Sequence, residues 1–325
     1  MNCKTRSRLL GACIAATLSS VALSQTSTAP AGRPPLAEAF GEATEWVRRP
    51  AREIMIDAFG AAAEISFREY KEPRPLCIWI SKVDLSNPGV RFVLTPPAEF
   101  AGDDAKFETR CANTLEFAQQ TGVQLAINTS AFAPFRPEAG QPMDVVGLAA
   151  IDGKVFSPPD PRFGAMYISK TGRVCLEGPR PAPEQTWQAV GGFRMLLDDE
   201  KLAVAKDVAR SSFGGLNPRT AVGVDRDGAH LWIVVADGRQ PDVSMGITLV
   251  ELAALFRALG AHDALNLDGG GSTTFVVQNS DRTHEVVNVP VGRKTPGSLR
   301  QVANNLGILL PGPPPAPDVR VRAAP

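Results

Sequence analysis

Short apolar runs broken by turn-forming residues dominate the sequence between residues 76 and 310, and they confine the chain to a fold built mainly of strands. Ile78-Trp79-Ile80 with Val83 and Leu85, and then Val90 to Leu94, flank the turn triplet Asn87-Pro88-Gly89, which predicts a pair of strands. Val145 to Ile151 and Val155-Phe156 flank Asp152-Gly153, a hairpin signal. Ala221 to Val224 and Leu231 to Val235 flank Asp225 to Gly228 in the same way. Val123 to Ile127 reads as a strand that delivers Asn128 to a loop, and Ala264 to Asp268, Thr273 to Val277 and Ala303 to Leu310 read as three more. One helix is clear. Thr248 and Glu251 form a capping box, Leu249, Leu252, Ala253, Leu255, Phe256 and Leu259 make an apolar face, and Gly260 ends it. A second helix is expected over Thr109 to Gln120, stopped by Gly122. Many strands with few helices predict an α+β fold: a mixed or antiparallel β-sheet core with a few packed helices.

The ends of the chain read differently. Lys4, Arg6 and Arg8 precede an apolar stretch from Leu9 to Leu23, and Ala22-Leu23-Ser24 supplies small residues at a signal-peptidase spacing. Residues 1–24 are therefore expected to be a signal peptide, which places the protein in a secreted or periplasmic, cell-envelope setting. Two competing readings are an uncleaved anchor, although the stretch is short against the about 20 apolar residues a spanning helix needs, and a lipoprotein signal at Leu10-Gly11-Ala12-Cys13. No later segment is apolar enough to span a membrane. Residues 25–45 are expected as a flexible linker, 46–311 as the folded domain and the Pro-rich 312–325 as a disordered tail. The 325 residues are 44% hydrophobic, enough for a real core, and Lys plus Arg balances Asp plus Glu at 34 each. That balance gives no general attraction to nucleic acid, which is not expected as a partner. Beyond the leader only Cys77, Cys111 and Cys175 remain, so at most one disulfide forms and the expected role of each is a small buried hydrophobe.

Asn266-Leu267-Asp268-Gly269-Gly270-Gly271-Ser272-Thr273 carries the chemistry. Side chains alternate along a strand, so Asn266 and Asp268 share one face and Leu265 and Leu267 the other. Three glycines follow, which let a ligand approach the backbone and whose N–H groups can form an anion-binding concavity. Ser272 and Thr273 add hydroxyls beside it. The bland alternative is a tight loop between two strands. Strand residues rather than a helix follow the glycines, no Gly-Lys-Ser/Thr is present, and no GxSxG elbow makes Ser272 a nucleophile.

Taken with its company, this segment resembles the phosphodiester glycosidase family. Pro218-Arg219-Thr220-Ala221-Val222-Gly223, Asp237-Gly238-Arg239, Ser244-Met245-Gly246, the Thr248 to Gly260 helix and Asn266 to Thr273 are similar to its signature. Gly191-Gly192-Phe193 and Arg300-x-Val302-x-Asn304 are similar to further pieces. The resemblance runs from about Leu76 to Leu310 and is most specific from Asn217 onward. One departure stands out: the family's two glycines after Asn128 are Thr129 and Ser130 here, two side chains where open backbone is expected.

The resemblance implies hydrolysis of a sugar C1–O bond to a phosphodiester, with an N-acetylglucosamine-1-phosphodiester-like or envelope-polysaccharide substrate. Arg219 and Arg239 suit phosphate oxygens, because guanidinium forks match them bidentately. Asp268, preferred over Asp237, is the expected catalytic carboxylate. Asn128, Asn266, Gly269, Gly270, Gly271, Ser272 and Thr273 are the expected substrate-binding set. A divalent cation held by Asp268 with Asp237 is left open, and no other cofactor is expected. Competing readings are a phosphodiesterase that cuts P–O, and a carbohydrate- or phosphoglycan-binding protein on the same scaffold. His230, His262 and His284 lie outside the motifs.

Overall fold

The computed structural model describes residues 34–56, 59–178 and 185–311. The expected leader over 1–24 and tail over 312–325 lie outside the described residues. Every named strand pairing is antiparallel, and the strands dominate four α-helices among the described residues. The α+β expectation therefore holds, in its antiparallel form.

Eight strands form the main sheet. Across it run Arg52–Ile56, Ala63–Tyr70, Leu76–Asp84, His230–Ala236, Arg219–Val224, Asp263–Asn266, Met195–Asp198 and Lys201–Leu202. Parity along one strand explains the layering. In Leu76–Asp84, Leu76, Ile78 and Ile80 enter a core beneath two helices, while Trp79 and Val83 enter the core on the opposite face. The first core is closed by the helices Leu36–Trp46 and Leu249–Leu259. The second is closed by two five-stranded sheets, which contribute Met166, Val174 and Val190 on one side and Leu125, Ile127, Phe275 and Leu306 on the other. Three layers result, with the main sheet buried on both faces.

The helix Leu249–Leu259 forms as its sequence dictates. The Thr248 side chain accepts from the Glu251 N–H, the Glu251 carboxylate accepts from the Thr248 N–H, and Gly260 closes the helix at φ 92°. The Asp152-Gly153 and Asp225–Gly228 hairpins also form as expected. Three expectations change. The Asn87-Pro88-Gly89 turn does not pair its flanking strands: Leu76–Asp84 belongs to the main sheet, whereas Arg91–Leu94 pairs with Asn305–Leu309 in another. The turn moves the chain between layers, which its local sequence does not encode. The second helix spans only Thr114–Thr121, because Asn113 caps it through a box with Glu116 while Thr109–Arg110 is drawn into a strand. Finally, the expected linker over 25–45 is helical from Leu36, and Phe40 and Ala43 pack into the helix-side core. Arg257 stacks on the Phe40 ring with its guanidinium carbon 4.1 Å from the centroid. Alanine, proline and glycine in this segment read as linker composition, but burial of one face outweighs weak local preference.

Phe40→Ala should therefore lower the unfolding free energy by about 3–4 kcal/mol, as for other buried aromatic truncations. Urea denaturation followed by far-UV circular dichroism measures this, and an unchanged midpoint would restore the linker reading.

Candidate active site

The motif pieces meet at one end of the main sheet. Arg219 opens its strand opposite Ala236, the last residue of His230–Ala236, and Ala221 stands opposite Asn266, the last residue of Asp263–Asn266. Antiparallel pairing thus brings the start of one strand against the ends of two others, and the residues just beyond those ends converge. Leu265 and Leu267 point into the sheet–sheet core, which leaves Asp268 turned toward the surface, as alternation predicts.

A fully buried Asn128 fixes the turn. Its Nδ2 donates to the Asp268 carbonyl at 2.6 Å, and its Oδ1 accepts from the Thr220 hydroxyl at 2.8 Å and the Thr274 N–H at 3.1 Å. The Asp268 N–H donates to the Thr129 carbonyl at 2.7 Å, and the Gly270 N–H to the Pro218 carbonyl at 2.9 Å. Gly270–Ser272 is a single 3₁₀ turn, after which the strand Phe275–Gln278 begins.

These ties hold Asp268 in a cavity of about 580 Å³ whose lining also includes Arg219, Arg239, Arg300, Asn217, Phe193, Phe213 and the three glycines. Each arginine is held by a different device. Arg219 is 2% exposed, and backbone carbonyls of Phe213, Gly215 and Ile247 accept its donors. Burial, with Arg239 beside it, lowers its pKa to about 10, still a cation at neutral pH. Arg239 sits in the left-handed region at φ 60°, and its Nε and one terminal nitrogen donate to the Asn217 side-chain oxygen at 3.3 and 2.9 Å. Arg300 donates to the Ser272 hydroxyl at 3.4 Å and the Gly292 carbonyl at 3.3 Å. Burial pulls its pKa down and Arg239 adds to this, while Asp268 opposes it.

Asp268 keeps some exposed surface, yet its carboxyl is surrounded by protein. Burial raises its pKa to about 6, against the opposing effects of the Ser272 hydrogen bond, Arg300, the Gly269 amide and Arg239. It is the one acidic residue lining the cavity, set among three guanidiniums. The excess of positive charge favours an anion there, beside a carboxyl whose pKa is moved toward neutrality.

The glycines act by absence of side chain. A Cβ on Gly271 would overlap the Arg300 guanidinium, one on Gly270 would lie 2.9 Å from an Arg239 nitrogen, and one on Gly269 would lie 2.7 Å from the Pro218 carbonyl. Of the three glycine amides, that of Gly270 donates to the Pro218 carbonyl and that of Gly269 bears on the Asp268 carboxyl, while the Ser272 and Thr273 amides donate to the Gly269 and Gly270 carbonyls.

Six of the expected residues line this cavity: Asp268, Arg219, Arg239, Gly269, Gly270 and Gly271. Ser272 lies just behind, on Asp268 and Arg300. Asn128, Asn266 and Thr273 are buried outside the lining. Asn128 spends its amide on the protein, and Asn266 donates to the Leu267 carbonyl. Asp237 is not brought into the cavity. Its Oδ1 accepts from the Asn288 side chain at 3.0 Å and the Val289 N–H at 2.8 Å, and it lines a separate cavity with Cys77 and Trp79. The two carboxylates considered for a shared cation, Asp268 and Asp237, thus line different cavities. The one His/Asp group among the described residues with metal-like spacing is Asp199, His262 and Asp263, outside the cavity lining. Thr129 and Ser130 do not narrow the cavity either: both are fully buried, with Ser130 accepting from Asn304.

Arg300, Phe193, Phe213 and Asn217 were not expected as site residues. Phe193 and Phe213 form an aromatic wall, with ring centroids 5.3 Å apart and Phe163 a further 4.9 Å from Phe193. Arg300 and Phe193 lie in motif pieces that the sequence marks, but nothing local says that they face Asp268.

The sequence profile of the phosphodiester glycosidases matches residues 121–309, more than half of the chain. The chain belongs to the phosphodiester glycosidase family. Its relatives include the N-acetylglucosamine-1-phosphodiester alpha-N-acetylglucosaminidases of Mus musculus, 43% identical over 65 residues, and Bos taurus, 28% identical over 117 residues. Those matches cover 20% and 36% of this chain, and only 12% and 19% of the length of the two relatives. The zebrafish catalytic domain of that glycosidase, auto-inhibited by its pro-peptide, shares the fold with a TM-score of 0.56 at 20% identity, over 79% of this chain and 87% of its own. A hypothetical protein from Synechocystis aligns with a TM-score of 0.59 at 14% identity, over 81% and 64%.

For this family member, Gly271→Ala should displace Arg300 and weaken inorganic phosphate binding about tenfold, the scale of one charge-assisted hydrogen bond. Titration calorimetry at low salt reads this, and unchanged affinity would show that Arg300 does not meet the anion.

Proposed function

We propose that this phosphodiester glycosidase hydrolyses the C1–O bond of a glycosyl phosphodiester, with the phosphate seated among Arg219, Arg239 and Arg300 and with Asp268 as the base. The observation that carries this reading is the convergence of three guanidiniums on one carboxylate of raised pKa in a single cavity. The relatives' names point to an N-acetylglucosamine-1-phosphodiester as the first substrate to try. In the reaction, water attacks C1 and gives a proton to the Asp268 carboxylate, while the C1–O electron pair leaves with the phosphate. The leaving phosphate monoester is a weak base, so it departs with little protonation and no second carboxylate is needed. The arginines instead stabilise the charge that grows on its oxygens. The Phe193 and Phe213 rings, tilted 51° to one another, offer apolar surface to a sugar ring.

The same arginines would serve in-line attack at phosphorus, so the bond cleaved is the decisive measurement. Hydrolysis in ¹⁸O water should place the label on the sugar, whereas label on the phosphate would make the protein a phosphodiesterase. Asp268→Asn should lower kcat about 10²–10⁴-fold, the usual contribution of a general base. The pH dependence has a defined sign. Asp268 works ionised, so kcat/KM should rise as pH increases through about 6, and this acid limb should vanish in Asp268→Asn. A limb that persists unchanged in the variant would remove Asp268 from the base role.

A further inference from the structure

An aromatic ring and a cation stand together just outside the cavity. Phe135 is 56% exposed, one of the most exposed large hydrophobic side chains among the described residues. It is not loosely hung. Pro134 and Pro137 restrict the backbone on either side, the Cys111 thiol contacts the Glu138 carbonyl at 3.1 Å, and the Gly140 N–H donates to Cys111 at 2.7 Å. One face of the ring is covered by Arg300, whose guanidinium carbon lies 5.1 Å from the centroid. Since Arg300 also lines the cavity, the ring stands on the cavity rim with its other side toward solvent.

Arg293 belongs to the same rim. It donates to the Pro137 carbonyl at 3.4 Å, two residues from Phe135, and its own N–H is held by the Ser298 hydroxyl at 2.9 Å. The neighbouring Gly292 carbonyl accepts from Arg300. The ion pairs among the described residues involve cations other than Arg293, which is itself exposed. A hydrophobic ring exposed by a braced loop, with an exposed guanidinium beside it and continuity to the cavity through Arg300, matches an alternation of apolar sugar face and phosphate.

We propose that Phe135 and Arg293 form an outer subsite for the next repeat of a polymer whose sugars are joined through phosphodiesters. The sugar stacks its C–H face on Phe135, and the following phosphate meets Arg293. This inference rests on the reading of the cavity as a glycosyl phosphodiester site, and the test separates the two. Two substrates are compared with the full chain: the methyl diester of N-acetylglucosamine 1-phosphate, which reaches only the cavity, and a synthetic oligomer of the same sugar with three phosphodiester-linked repeats. Turnover of the methyl diester by the wild type tests the cavity alone. Phe135→Ala and Arg293→Gln should each lower kcat/KM on the oligomer about tenfold, the effect of losing one contact of about 1.4 kcal/mol, chiefly through KM. Both should stay within about twofold of wild type on the methyl diester. Oligomer KM should rise with salt in the wild type and less steeply in Arg293→Gln. An equal fall on both substrates would assign the residues a structural role, and no fall on the oligomer would overturn the subsite. A fall with Phe135→Ala alone, matched by a neutral oligosaccharide of the same length, would overturn the phosphate half. Calorimetric titration of the oligomer into Asp268→Asn, and into its double variant with Phe135→Ala, reads the subsite even if turnover fails, with equal affinities overturning it.

Discussion

The carboxamide of Asn128 is the interaction on which the site depends. It lies fully inside the protein, where an unsatisfied amide would be costly, and it is bonded to three separate pieces of chain: the Asp268 carbonyl, the Thr220 hydroxyl and the Thr274 amide. Those pieces are the turn that carries the carboxylate, the strand that carries Arg219, and the segment that enters the next sheet. One side chain therefore sets the spacing between carboxylate and cation while itself lying outside the cavity. Its sequence position, at the end of an apolar strand, marks it as special but does not tell whether it binds a ligand or the protein.

Around that tie the chain assembles an unusually concentrated charge. Three guanidiniums would repel one another in an empty site, and each is held by a separate anchor: carbonyls for Arg219, the Asn217 amide for Arg239, and Ser272 with the Gly292 carbonyl for Arg300. The lowered pKa of Arg219 and the raised pKa of Asp268 both record the cost of burying charge. Such burial of charge is tolerated because the surrounding fold supplies each group with fixed partners. The glycines contribute by letting the arginines close in, a steric role.

The antiparallel topology explains why residues far apart in sequence meet. Strands that alternate in direction bring the start of Arg219–Val224 beside the ends of His230–Ala236 and Asp263–Asn266. The same arrangement places Asp237 just beyond one of those ends, but its carboxylate is claimed by Asn288 and Val289 and lines a separate cavity. A conspicuous Asp-Gly-Arg motif thus divides, with its arginine in the cavity and its aspartate holding a loop.

Local patterns in the sequence determined the strand-rich fold class, the capped helix over Leu249–Leu259, two of the hairpins, and the outward face of Asp268, because alternation, capping and turn chemistry act over a few residues. They also marked Arg219, Arg239 and the glycine turn. Only the tertiary structure decided that Leu36–Trp46 is a docked helix, that Asn87-Pro88-Gly89 changes sheets, that Thr129 and Ser130 lie under the site, and that Arg300, Phe193 and Phe213 complete it. Those outcomes turn on which surfaces are buried against which partners and on where distant strand ends fall, and no short stretch of sequence carries that information.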